Sequence, residues 1–148
     1  MVPVASATVA SLRTRSARLL RLPSISEARG SLVWGETGTH IPFRPLRFWS
    51  ISMVPPGQVR GDHGHRALHE LMVCLSGACT VELDDGVDRD VVVLDTPALG
   101  LHIGPLMWTK QHRFTPDAVL LVLASDAYRP DDYIRDYTEF LALVAQGG

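Results

Sequence analysis

The chain has 148 residues, 46 % of them hydrophobic and 20 % charged, with a formal net charge of −2. That length suits one domain with a core of its own, and the charge balance gives no footing for nucleic-acid binding. No apolar run approaches the roughly 18–20 residues that a membrane span needs, so no membrane partner is expected.

The first 22 residues include Arg13, Arg15, Arg18 and Arg21, and no acid precedes Glu27. That composition, rich in Ser and Ala, predicts a flexible N-terminal arm over 1–22 and a single domain over 23–148. From about residue 24 to 126 the pattern is one of short strands with turn punctuation. The predicted strands are 31–34, 47–53, 70–75, 78–83, 91–94, 100–103 and 118–124. Pro55-Pro56-Gly57 stops one of them, and Ser76-Gly77 and Asp84-Asp85-Gly86 turn two others. Asp-Gly tolerates the positive φ of a tight hairpin. Many short strands at regular spacing predict an all-β sandwich or barrel. Trp34, Phe43, Phe48 and Phe114 are expected in its core. Cys74 and Cys79 read as two packed thiols on one strand, facing opposite sides. The tail changes period: residues 131–141 space their apolar side chains as a helix does, so one short C-terminal helix is predicted, ending before Gly147.

The informative stretch runs from Gly57 to Gly77. It holds His63-Gly64-His65, then Glu70, then Gly77. The spacing resembles the first motif of the cupin superfamily, which implies a double-stranded β-helix, a jelly-roll barrel. Residues i and i+2 of a strand share a face, so His63 and His65 both enter the barrel, and Glu70 opens the next strand where it can face them. Such a set suits a metal ion, or acid–base work by an imidazole with a pKa near neutrality. In the second cupin motif the last metal ligand is a His. Here that slot falls on Thr109, and a hydroxyl is a poor substitute. His102 sits early in its strand and His112 beyond the slot.

A denser set of matches covers about 24–141. It includes Arg29-Gly30-Ser31-Leu32, Ile41-Pro42-Phe43, Arg60-Gly61, Val73-Cys74-Leu75-Ser76-Gly77, Pro97-Ala98-Leu99-Gly100-Leu101, Gly104-Pro105 with Trp108, and Asp132-Tyr133-Ile134-Arg135-Asp136-Tyr137. In this order they resemble the sugar-nucleotide 3,4-ketoisomerases, the dTDP-4-oxo-6-deoxyglucose isomerase or WxcM-like family. The resemblance implies a cytoplasmic homodimer with exchanged N-terminal strands, no cofactor and no metal. It implies a dTDP-linked 4-oxo-6-deoxy sugar whose ketone moves from C4 to C3 in deoxysugar biosynthesis. That chemistry needs a base at carbon and an acid for the oxygens. His63 is the expected base, with His65 beside it. Arg29 and Arg60 are expected on phosphate or sugar oxygens, and Glu70, His102, Trp108 and Thr109 complete the expected substrate contacts. Relatives carry a tyrosine near the positions of Trp49 and Ser50, and Gln where this chain has Glu70. Two other readings stay open at this point. One is a metal-dependent cupin using His63, His65 and Glu70 with His102. The other is a non-catalytic sugar-nucleotide binding module.

Overall fold

The computed structural model describes residues 7–147. The strands are β1 (Ala7–Ala10), β2 (Ala17–Arg21), β3 (Ser24–Glu27), β4 (Gly30–Val33), β5 (Arg47–Ser52), β6 (Arg60–His65) and β7 (Glu70–Ser76). They continue as β8 (Cys79–Asp84), β9 (Arg89–Leu94), β10 (Leu99–Ile103), β11 (Trp108–His112), β12 (Val119–Ala124) and β13 (Tyr133–Ile134), before one helix, α1 (Tyr137–Gly147). One sheet has the order β1-β2-β10-β7-β12-β5, the other β13-β6-β11-β8-β9, and β3-β4 is a separate hairpin. All pairings between these strands are antiparallel. The two large sheets enclose the main core. Met72, Cys74, Leu101, Ile103, Leu120 and Val122 come from the first, and Val81, Leu83, Val92 and Leu94 from the second. In β9 and β12 these alternate with more exposed neighbours, as a strand with one buried face requires, whereas Leu71 and Val73 on the other face of β7 are buried against Leu20, Leu22 and Ile41. Burying one such side chain is worth roughly 1.5–3 kcal/mol. The result is the all-β cupin jelly roll, with a short C-terminal helix. Among the described residues no helix is long and apolar enough to cross a membrane.

Four expectations change. The 1–22 arm is, from Ala7 onward, part of the fold; residues 1–6 lie outside the described residues. β2 pairs with β10 from Ala17↔Ile103 to Arg21↔Leu99, and Ala17, Leu20 and Leu22 are buried. The boundary expected after residue 22 therefore falls between β2 and β3. The arginines disguise this segment: Arg13 and Arg15 point outward to Asp88 and Asp85. The helix expected over 131–141 starts only at Tyr137, because Tyr133 and Ile134 pair with His65 and Gly64 of β6. Cys74 and Cys79 lie on two strands, and both face the main core. Phe48 is 69 % exposed. It lies on the edge strand β5, on the face opposite Trp49, which packs on the core.

Asp85 ties the N-terminal segment to the β8–β9 turn. It is 1 % exposed. Its Oδ1 accepts from the amides of Val87 and Asp88, each at 2.8 Å, and its Oδ2 from the amide of Arg15 at 2.8 Å. Burial works against the charge, yet these amides and the Arg15 guanidinium outweigh it and hold the carboxyl below its ordinary range. Asp85→Ala leaves three N–H groups without their acceptor. The expected cost is about 3 kcal/mol, read as a shifted urea midpoint at unchanged slope.

Candidate active site

The His-x-His strand is bent at its start. Gly61 has φ +76°, and a Cβ there would come within 2.8 Å of Gln111 Oε1. Asp62 follows with φ 62°, a conformation Asp tolerates better than most residues. The pairing with β11 shifts here, from Thr109↔His63 to Lys110↔Gly61. Asp62 is thus the extra residue of a β-bulge, a device that re-aims the side chains beyond it. The indole N–H of Trp108 donates to Asp62 Oδ1 at 3.0 Å and pins the bulge.

Past the bulge both imidazoles share one face, as strand parity requires. Their rings meet edge to face, with centroids 5.1 Å apart. His63 Nδ1 is 3.1 Å from the carbonyl oxygen of Gly61. A carbonyl only accepts, so Nδ1 carries the proton and Nε2 is left with its lone pair. His65 Nδ1 donates to Asp132 Oδ2 at 3.1 Å, while Asp132 Oδ1 accepts from the Ala67 amide at 2.7 Å. The Tyr133 ring lies 5.0 Å from His63 and 4.4 Å from His65, centroid to centroid.

A cavity of about 410 Å³ opens between the sheets in front of His63. Arg47, Trp49 and Ile51 of β5, Glu70 and Met72 of β7 and Val122 of β12 line one wall. Arg60 and His63 of β6 and Thr109 and Gln111 of β11 line the other, and Tyr133 closes one side. Burial dominates the electrostatics. It lowers the His63 pKa, with the Gly61 hydrogen bond opposing, so the ring is neutral and basic at pH 7. Burial and the neighbouring His63 push His65 down to about 4, despite its Asp132 carboxylate. The His65–Asp132 contact is therefore a hydrogen bond at neutral pH, not an ion pair. Burial raises Glu70 to about 7, against the pull of Arg47.

The structure brings together five of the eight residues expected at the site: His63, His65, Arg60, Glu70 and Thr109. Arg29 lies at the tip of the β3–β4 hairpin, exposed and paired with Glu27, because the hairpin stands apart from both large sheets. Trp108 is 6 % exposed and packs under α1 against Tyr137 and Phe140, since strand parity turns it away from Thr109. His102 alternates with Leu101 and Ile103, so it faces away from the cavity. There it is 3.1 Å from His69 Nδ1 through its Nε2. The quartet of His63, His65, Glu70 and His102 is therefore not assembled. Among the described residues no group of three or more His, Cys, Asp or Glu is placed to hold a metal ion.

A family model described as FdtA, WxcM-like, C-terminal, matches residues 15–145 of the chain. The protein belongs to this WxcM-like family. A relative within reach of the same conclusion is the TDP-4-oxo-6-deoxy-α-D-glucose-3,4-oxoisomerase of Aneurinibacillus thermoaerophilus, 41 % identical over 87 % of this chain and 93 % of that protein. Two solved structures resemble the WxcM-like fold described above. A 3,4-ketoisomerase from Helicobacter canadensis is 38 % identical, with a TM-score of 0.84 over 87 % of this chain and 97 % of its own. A variant of the 3,4-ketoisomerase QdtA from Thermoanaerobacterium thermosaccharolyticum, in complex with TDP-4-keto-6-deoxyglucose, is 33 % identical, with a TM-score of 0.88 over 90 % and 96 %.

Sequence reasoning missed Arg47, Gln111, Asp132 and Tyr133. Tyr133 falls in the segment expected to be helical. No local signal marked it, because Tyr133 and Ile134 continue the helical spacing of Tyr137, Phe140 and Leu141; only the pairing of β13 with β6 sets them as a strand.

The buried imidazoles have a measurable consequence. His65 and His102 move from an ordinary 6.5 to about 4 in the fold. Between pH 6.5 and 4 the unfolded chain binds more protons, so stability falls as pH falls through that window. Glu70 acts in the opposite sense, holding its proton in the fold up to about pH 7, but the imidazoles outnumber it. The melting temperature is expected to drop from pH 7 to pH 4. His102→Phe, packed beside Phe43, should shrink that drop by a few degrees, as read by thermal scans at each pH.

Proposed function

We propose that this WxcM-like protein is a 3,4-ketoisomerase that moves the ketone of a TDP-linked 4-oxo-6-deoxy sugar between C4 and C3, in deoxysugar biosynthesis. The observation that carries the reading is His63: neutral, with its proton fixed on Nδ1 by Gly61 and its Nε2 free in a sugar-sized cavity. Nε2 takes the proton from C3. The oxygen at C4 gains a proton, and an enediol forms. The hydroxyl at C3 then gives up its proton as the new ketone closes, and the His63 imidazolium returns a proton to C4. Atoms and charge balance over the cycle with no change of oxidation state in the protein. His65, oriented by Asp132, packs behind His63 and holds its ring. Arg60 and Thr109 contact the sugar or its phosphate.

The relatives' names support the substrate class. The test is incubation with TDP-4-oxo-6-deoxy-α-D-glucose in D₂O, followed by NMR. Deuterium at C4 of a 3-oxo product is the expected result. A protein that binds TDP but leaves the sugar untouched would instead be a binding module. We also propose a cytoplasmic homodimer. Exposed Phe48 on the β5 edge strand and Met53 just beyond it support the dimer, because an unpaired apolar edge strand seeks a partner. Light scattering after size-exclusion chromatography gives the answer directly.

A further inference from the structure

The base is placed, but the two sugar oxygens still need a group that delivers one proton and collects another. We infer that the Glu70 side chain is that group, a carboxyl relay between the oxygens at C4 and C3. The inference rests on the ketoisomerase reading above and adds to it a second catalytic residue.

Glu70 opens β7, and the i, i+2 step to Met72 aims both side chains at the cavity from the sheet opposite His63. A sugar ring between the walls therefore has the imidazole on one side and the carboxyl on the other. The other cavity groups serve this role less well. Arg47 and Arg60 donate but do not give up protons near neutrality. Thr109 already accepts from Gln111 Nε2 at 3.1 Å. Tyr133 has a single oxygen, and its ring packs on the His63 side against both imidazoles. A carboxyl has two oxygens in one plane, which matches two neighbouring sugar oxygens. In the forward direction its O–H protonates O4 as His63 removes the C3 proton. The resulting carboxylate accepts the O3–H proton as the ketone closes at C3, and Glu70 is restored without solvent.

The surroundings suit a carboxyl that both gives and takes. Glu70 is 5 % exposed. The charged groups nearest in effect are Arg47 on β5 and Asp132 in the turn before β13, and burial outweighs Arg47 to leave the pKa at about 7. An acid with a pKa near the working pH transfers protons most efficiently in both directions.

The experiment separates proton exchange from ketone transfer. Wild type, Glu70→Gln and Tyr133→Phe are incubated with TDP-4-oxo-6-deoxy-α-D-glucose in D₂O. Deuterium at C3 of recovered substrate and the 3-oxo product are followed together by NMR. Glu70→Gln is expected to lose about 10²-fold in product formation while C3 exchange falls far less, because the amide N–H still hydrogen-bonds O4 as the C3 proton leaves but the amide cannot collect the O3 proton, so their ratio shifts. TDP affinity should stay within about threefold of wild type. Product formation within about threefold of wild type would overturn the inference. So would an equal loss of exchange and product, which marks a packing role, or the uncoupled pattern appearing in Tyr133→Phe instead. Should Glu70→Gln fail to fold, Glu70→Asp carries the same comparison, with a weaker shift of the ratio expected and an unshifted ratio overturning the relay. A silent wild-type protein would overturn the ketoisomerase reading itself.

Discussion

His63→Asn is expected to lower isomerisation by about 10²–10⁴-fold, the range a positioned general base supplies. Asparagine is close in size and can still donate to the Gly61 carbonyl, so the bulge keeps its anchor. It has no basic nitrogen, so the C3 proton has nowhere to go. Both deuterium exchange at C3 and formation of the 3-oxo sugar should disappear together, unlike the uncoupling expected at Glu70. TDP binding should persist, because the variant removes no guanidinium. The measurement is NMR in D₂O alongside calorimetric titration with TDP. A variant that still exchanges C3 within tenfold of wild type would assign the base elsewhere. His65 is the weaker candidate, since its Nδ1 is committed to Asp132 and its Nε2 is buried.

The second large effect lies behind the site. Phe140→Ala is expected to cost about 3–5 kcal/mol, as a large aromatic removed from a packed core usually does. Phe140 is fully buried under α1, against Trp108 and Tyr137, in a cluster with Ile134 and Val144. Chain length converts the loss to a fall of roughly 10 °C in Tm. The consequence reaches the chemistry through Gly64. A Cβ at Gly64 would sit 3.4 Å from Phe140 Cδ1 and 3.1 Å from the Met107 carbonyl oxygen. The strand between the two histidines is thus pressed directly onto this cluster. Emptying it should loosen the His63–His65 geometry, so activity per folded molecule falls as well. An unchanged Tm would show that α1 contributes little to the barrel.

His63, His65 and Glu70 were legible because strand parity and motif spacing are local properties. Any chain with that bulge, strand and turn aims the pair inward. Thr109 was reached through the second motif, and its register places it opposite His63. Arg29, His102 and Trp108 show where such reasoning stops. Arg29 and Trp108 match the family pattern by position along the chain, and His102 stands at a position the pattern gives to the substrate. Which face each presents depends on which sheet its strand joins and what packs behind it. Asp132 and Tyr133 were hidden for a related reason. They lie 67 and 68 residues beyond His65 in the chain, and only the β13–β6 pairing brings them to the histidines.

By itself the sequence determined that short alternating strands make an all-β sandwich or barrel, and that two imidazoles share one face of a strand. Those follow from periods of two and from turn chemistry. The tertiary structure alone decided that residues 17–22 belong to the fold, that Asp132 and Tyr133 meet the histidines, and that Glu70 is buried in the cavity wall opposite His63. Those depend on contacts between residues far apart in the chain and on the depth of their burial, which no local pattern encodes.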